Sequence, residues 1–422
     1  MLWLGILHLC SLKPHGDQTK GGATSLTRKT HGHVIGLDLL RVAAAVLVVV
    51  YHFGFWNWTT RQPLAIAFPG QAPSWGRSLH FGWIGVEIFF VISGYVIAFS
   101  SANIPSSVFA RSRALRLAPT SWIGATIVLG VWLTDGMHKA PAVLLAYIKT
   151  LAFWPLDAID GVWWTLGIEI DFYLLVYLLI RWNRIVAFEA IMGGIGLASG
   201  LFWMLALSLQ MGLAGQTGAL GLLRTLVLRA EANRELQLLL VQHGCFFALG
   251  TMLCKIAPAG LTRRRALMMT GLVVACLLEI LGQNGIICRA SQSDLSVWPA
   301  LIAWAVAMGM FGLAIAFNAH LLRMGDRVTG LIRFAGLATY PLYLVHNAVG
   351  IGASFVLAPL IGPAAVSVGL VIAVLAAFVI AGQAEPRLRA ILLSWWPKHA
   401  SAIPAPTVLG HGSIGGRKER LI

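Results

Sequence analysis

Arg41 and His52 stand eleven residues apart in an apolar stretch. Eleven residues are close to three helical turns, so on one helix both side chains point the same way, about 16 Å apart. Asp38 and Ala45 fall on the same face. Further along, other titratable residues interrupt apolar runs: Glu87, Glu169 with Asp171, His243 and His346. An ionisable group inside a membrane span costs at least ~2.5 kcal/mol, which makes each a candidate site residue. Helical rise brings His52, Glu87, Glu169 and His346 to similar depths on four segments, where a shared cavity would relieve their desolvation. A histidine base and a carboxylate at matched depth are what hydroxyl activation needs, which singles out His52 with Glu169. Asp38 and Arg41, at i and i+3, read equally well as a structural ion pair. His243, a lone intramembrane histidine, reads better as a hydrogen-bond partner within the bundle than as a catalyst.

A different chemistry is suggested by the run Phe109-Ala110-Arg111-Ser112-Arg113-Ala114-Leu115-Arg116-Leu117-Ala118-Pro119. Arg113 and Arg116 share a helical face at i and i+3. Planar guanidinium groups suit phosphate. Charge anchoring at the inner membrane face is the competing reading, and composition alone favours it.

These residues need elements to hold them. Of 422 residues, 58% are hydrophobic and 11% charged, with a mean hydropathy of +0.79. Soluble chains carry about 25% charged residues, so a large soluble enzyme and a disordered chain are both excluded. The net charge of +15 fits basic cytoplasmic loops better than nucleic-acid binding. The five cysteines have no CxxC spacing, so neither a disulfide framework nor a zinc site is expected, and no metal.

Segments of about 20 apolar residues span a bilayer. The candidates are 37–56, 83–100, 117–133, 166–182, 185–207, 236–256, 266–282, 297–317, 334–357 and 364–380. The run 140–154 is short, bracketed by Pro141 and Pro155 and broken by Lys149, and reads as interfacial or re-entrant. With the N-terminus inside, roughly three quarters of all Lys and Arg fall on the inner side. The expected fold is therefore all-α: a polytopic membrane helix bundle of about ten transmembrane helices, N-in and C-in. A flexible basic tail (1–35) precedes the transmembrane domain (36–390), and a cytoplasmic tail (391–422) follows it. The stretch 208–235 is amphipathic and could lie on the membrane as one helix. Trp154, Trp163 and Trp164 fit an aromatic belt. Gly82, Gly85 and Ser93-Gly94 fit close helix packing. Intramembrane His and Glu would also serve a proton-coupled transporter, although no repeated halves are visible.

Five stretches in order resemble the acyltransferase-3 family of integral membrane O-acyltransferases, which acylate cell-surface sugars. They are Gly36-Leu37-Asp38-Leu39-Leu40-Arg41 continuing to Tyr51-His52, Gly85-Val86-Glu87-Ile88-Phe89-Phe90-Val91-Ile92-Ser93-Gly94-Tyr95, and the Arg113/Arg116/Pro119 run. Trp164-Thr165-Leu166-Gly167-Ile168-Glu169 to Phe172-Tyr173 is the fourth, and Gly336 to His346 with Tyr340-Pro341-Leu342-Tyr343 is the fifth. Glu87 stands where the family usually has Asp, and Ser112 where adjacent arginines are usual. Many members also carry a C-terminal esterase-like domain; none is read in this chain, so it is expected to act alone or with a separate partner.

The resemblance implies transfer of an acyl group, commonly acetyl from acetyl-CoA, to a hydroxyl of a cell-surface or lipid-linked glycan. No bound cofactor is implied; the acyl-CoA is a co-substrate. The implied partners are the lipid bilayer and the polysaccharide biosynthesis machinery, and the implied location is the bacterial inner membrane. By the same resemblance His52 is the catalytic residue, with Arg41 and Asp38 in its motif and Glu169 in the Trp-x-Leu-x-x-Glu motif. Arg113 and Arg116 belong to the donor-binding motif, while Glu87, Tyr343 and His346 contribute to substrate binding. Two routes stay open: His52 as a base for direct attack on the thioester, or His52 as a covalent acyl carrier.

Overall fold

A computed structural model describes residues 34–395 except 103, 135–138, 211–217, 234, 236 and 237. The two expected tails lie outside the described residues apart from 34–35 and 391–395. The helices are α1 (Ile35–Gly54), α2 (Ile84–Ser100), α3 (Ser106–Thr134), α4 (Ala140–Leu151), α5 (Trp164–Arg181), α6 (Phe188–Gln210) and α7 (Gly218–Ala232). They continue with α8 (Gly244–Ala259), α9 (Arg263–Ser291), α10 (Trp298–Ala316), α11 (Asp326–Ile361), α12 (Ala364–Val379) and α13 (Glu385–Trp395). Among the described residues nine helical segments are long and apolar enough to cross a membrane. The protein is a multi-pass, all-helical membrane bundle.

Two apolar helices are shorter. The run 140–154 forms only the 12-residue α4, packed on α3, as its bracketing prolines and interrupting lysine suggest. The expected span 236–256 contracts to the 16-residue α8, because the chain turns through Leu239–His243 before the helix begins. His243 thus caps α8 rather than lying two turns inside it. The amphipathic stretch contains α7, which rests on α6 and leaves Leu222 and Leu226 exposed.

The packing has two centres. α8 is enclosed by α2, α6 and α9, while α11 is flanked by α1, α3 and α12. α1 touches both α2 and α11 and joins the two groups. Contacts between α1, α2 and α8 rely on residues without side chains. A Cβ added at Gly85 would stand 2.3 Å from the Ala44 carbonyl oxygen, and one at Gly94 2.2 Å from that of Phe247. At Gly250 it would stand 2.0 Å from the oxygen of Val91. Backbones approach this closely only where small residues line the crossing.

α1 is built from Val, Leu and Ala, with Asp38 in its first turn and His52 in its last. Acid at the N-terminus and base at the C-terminus match the helix dipole. The same helix therefore delivers the Asp38–Arg41 pair to one end of the bundle and His52 towards the other. These are called below the arginine end and the histidine end.

Candidate active site

At the arginine end, Arg41 Nη1 donates to Asp38 Oδ1 at 2.7 Å, with Asp38 buried. Arg41 forms this ion pair and also lines a cavity of about 320 Å³. Arg113, Arg116 and Arg389 line it too, so four guanidiniums face one space. Aromatic rings hold two of them: Arg113 lies 5.7 Å from the Tyr173 ring centroid and Arg116 5.4 Å from that of Tyr340. Guanidinium stacking of this kind leaves the N–H fork available to an anion. Among the described residues the one acidic lining residue is Glu169, which accepts a hydrogen bond from the Tyr173 hydroxyl and a long one of 3.5 Å from Ser93.

Towards the histidine end the cavity is walled by Phe89, Thr165, Tyr343 and Leu344. The turn Gly161–Trp163 and the start of α5 clamp this part of α11. Tyr343 donates its hydroxyl to the Val162 carbonyl at 2.7 Å and accepts from Thr165 at 2.9 Å. Trp163 donates its ring N–H to the Leu344 carbonyl at 3.1 Å. Trp163 is therefore a buried strut and not part of an interfacial belt, whereas Trp154 is exposed as expected. The apolar body of Trp163 is covered and its N–H still needs an acceptor.

One turn beyond Tyr343, His346 meets His52, with ring centroids 4.9 Å apart. His52 Nδ1 lies 2.8 Å from the Val48 carbonyl, and His346 Nδ1 lies 2.8 Å from the Tyr343 carbonyl. A carbonyl oxygen can only accept, so both Nδ1 atoms carry the hydrogen. His346 Nε2 then has a lone pair, and at 3.3 Å it accepts from His52 Nδ1–H, shared with Val48. The basic nitrogen left over in the pair is His52 Nε2. From the residue after His346 runs a polar chain: Asn57 donates to Asn347 at 3.0 Å, and Asn347 donates to Asp160 at 3.2 Å.

His52, Glu87 and Glu169, which similar depth does not by itself force together, take separate side-chain partners. His52 takes His346 as its side-chain partner, while Glu169 stays with Tyr173 and Ser93 in the cavity. Glu87 turns towards α8 and α9, where His243 and Glu279 lie. The direction in which each side chain points depends on packing angles that depth along a helix does not contain. Five residues of these clusters were not anticipated: Asn57, Asp160, Glu279, Asn347 and Arg389. Glu279 could have been flagged as an acidic residue in an apolar span, and Asn347 as the neighbour of His346.

A polytopic helical bundle with a cationic cavity that ends one turn short of a histidine pair suits group transfer within the membrane. The chain belongs to the acyltransferase-3 family: the model of its acyltransferase domain matches residues 34–382. Membership of that family favours group transfer over the transporter reading. Nodulation protein 10 of Rhizobium leguminosarum bv. viciae is 29% identical over 192 residues. That match covers 39% of this chain and 50% of the relative, so the chain spans about half the length of the curated protein it matches. No solved structure matches.

Proposed function

We propose that this acyltransferase moves an acyl group, acetyl in the simplest case, from a cytoplasmic acyl-CoA to a hydroxyl of a cell-surface or lipid-linked glycan at the bacterial inner membrane. The cavity carries this reading: four arginines at one end, and the His52–His346 pair one turn beyond the other. Arg41, Arg113, Arg116 and Arg389 would take the donor's phosphates through charge-assisted hydrogen bonds. The narrow pantetheine arm would run past Glu169 and Tyr343 and bring the thioester towards His52. His52 Nε2 would remove the acceptor proton as the hydroxyl oxygen attacks the thioester carbon and the CoA thiolate leaves. The resulting imidazolium keeps its Nδ1–H on the Val48 carbonyl and His346 Nε2.

Membranes containing the protein, given acetyl-CoA labelled in the acetyl group and polysaccharide from cells lacking the gene, are expected to place base-labile label on the glycan. Absence of label with every short acyl-CoA would defeat the proposal. The reading also needs the arginine end to face the cytoplasm. Reporter fusions after Gly260 and at the C-terminus are both expected to report cytoplasm, and a periplasmic signal at either would invert the donor side.

A further inference from the structure

We propose that Glu87, His243 and Glu279 form a binding site for a divalent transition-metal ion, separate from the donor cavity. The three residues come from three elements: the first turn of α2, the cap of α8 and the interior of α9. One ligand atom from each lies within 4.8 Å of the other two. His243 Nδ1 is 3.7 Å from Glu87 Oε2 and 2.5 Å from Glu279 Oε1. Each residue is at most 2% exposed.

Two observations point to a ligand. Glu87 Oε2, His243 Nδ1 and Glu279 Oε1 are all buried, and although His243 Nδ1 lies within ion-pair distance of both carboxylates, none of the three atoms has a hydrogen bond of good geometry. Their polar atoms gather around one point without the geometry in which an N–H aims at an oxygen. The second observation is charge. Two carboxylates in an apolar bundle need two positive charges, and one imidazolium provides one. A divalent cation supplies both while His243 stays neutral and acts as a ligand.

Two oxygens and one imidazole nitrogen suit zinc and its neighbours rather than calcium, which takes six to eight oxygens. Tetrahedral ligand bonds of about 2.0–2.2 Å need the His243–Glu279 contact to open by roughly 0.8–1 Å. The supporting groups are in place. Cys245 donates its thiol hydrogen to the other oxygen of Glu279 at 2.9 Å, which orients the carboxylate. The rings of Phe90 and Trp164 lie 5.5 and 5.2 Å from that of His243 and shield it. Phe90 also lines the donor cavity, so the ion would fix the cavity wall by tying α2 to α8 and α9.

The test is metal analysis of the full-length protein, purified in detergent with a non-histidine tag and without chelators. About one zinc, manganese, iron or cobalt per chain is expected. Stripping with a chelator should lower the melting temperature, and Zn²⁺ should restore it. Co²⁺ added to stripped protein should give visible d–d absorption, lost in Glu279→Gln and in His243→Gln. Metal-free protein that binds neither Zn²⁺ nor Co²⁺ near one equivalent would overturn the site and leave two protons as its occupants. Binding unchanged in both variants would overturn it as well. Measurements on the unmodified chain decide the question even where a variant does not fold.

Discussion

Replacing His52 by Gln is expected to lower acyl transfer about 10²–10⁴-fold, the usual cost of losing a general base, while the protein still inserts and folds. Gln offers an amide that can reproduce a hydrogen bond to the Val48 carbonyl, so a purely structural His52 would be largely replaced. It has no titratable nitrogen to stand in for Nε2, so a catalytic one would not. The check is acetyl incorporation into glycan by membranes holding equal amounts of each variant. Retention of most activity in His52→Gln would remove His52 from the chemistry. His346→Gln should cost less, because His346 Nε2 only accepts a hydrogen bond from His52 and a Gln oxygen can accept one too. Incubation with labelled donor and no acceptor separates the two routes: label held on His52 supports a covalent carrier, and none supports direct attack.

The second large effect is expected at the arginine end. Arg113→Ala and Arg116→Ala should each weaken donor binding by roughly 1.5–3 kcal/mol, tenfold or more in donor KM, with the acceptor KM little changed. The lysine variants separate phosphate recognition from membrane anchoring. Lysine preserves the charge bias across the bilayer but not the flat two-pronged fork, nor its stacking on Tyr173 and Tyr340. Donor affinity should therefore stay impaired in Arg113→Lys and Arg116→Lys. Unchanged donor affinity in a folded Arg113→Ala/Arg116→Ala protein would return both residues to anchoring.

What could be read in advance follows a physical boundary. The Asp38–Arg41 pair and the common face of Arg113 and Arg116 were legible because spacing within one helix fixes geometry at once. The membrane bundle was legible because 58% apolar composition leaves no other solution. Partners on different helices were not. His52 pairs with His346 of α11, while Glu169, the carboxylate matched to His52 on depth, belongs to a different hydrogen-bond set. Glu87 and Glu279 meet only because α2 and α9 both pack on α8, a fact held in tertiary contacts and not in periodicity. Trp163 was misread for the same reason: an indole in a membrane protein suits the headgroup layer or a buried acceptor equally well, and only the nearby Leu344 carbonyl decides between them.

The 16 residues of α8 also bear on how the chain is assembled during synthesis. They extend about 24 Å, short of a hydrocarbon layer of about 30 Å. Left alone in lipid, such a helix would draw its polar ends, His243 among them, into the bilayer. Surrounded by α2, α6 and α9, it has protein to meet instead. α2 and α6 leave the ribosome before α8, but α9 leaves after it, so α8 cannot reach its final environment when it is made. Its settling is then expected to wait for α9, and damage to α9 should trap the chain at that stage, with the earlier spanning helices already in the membrane.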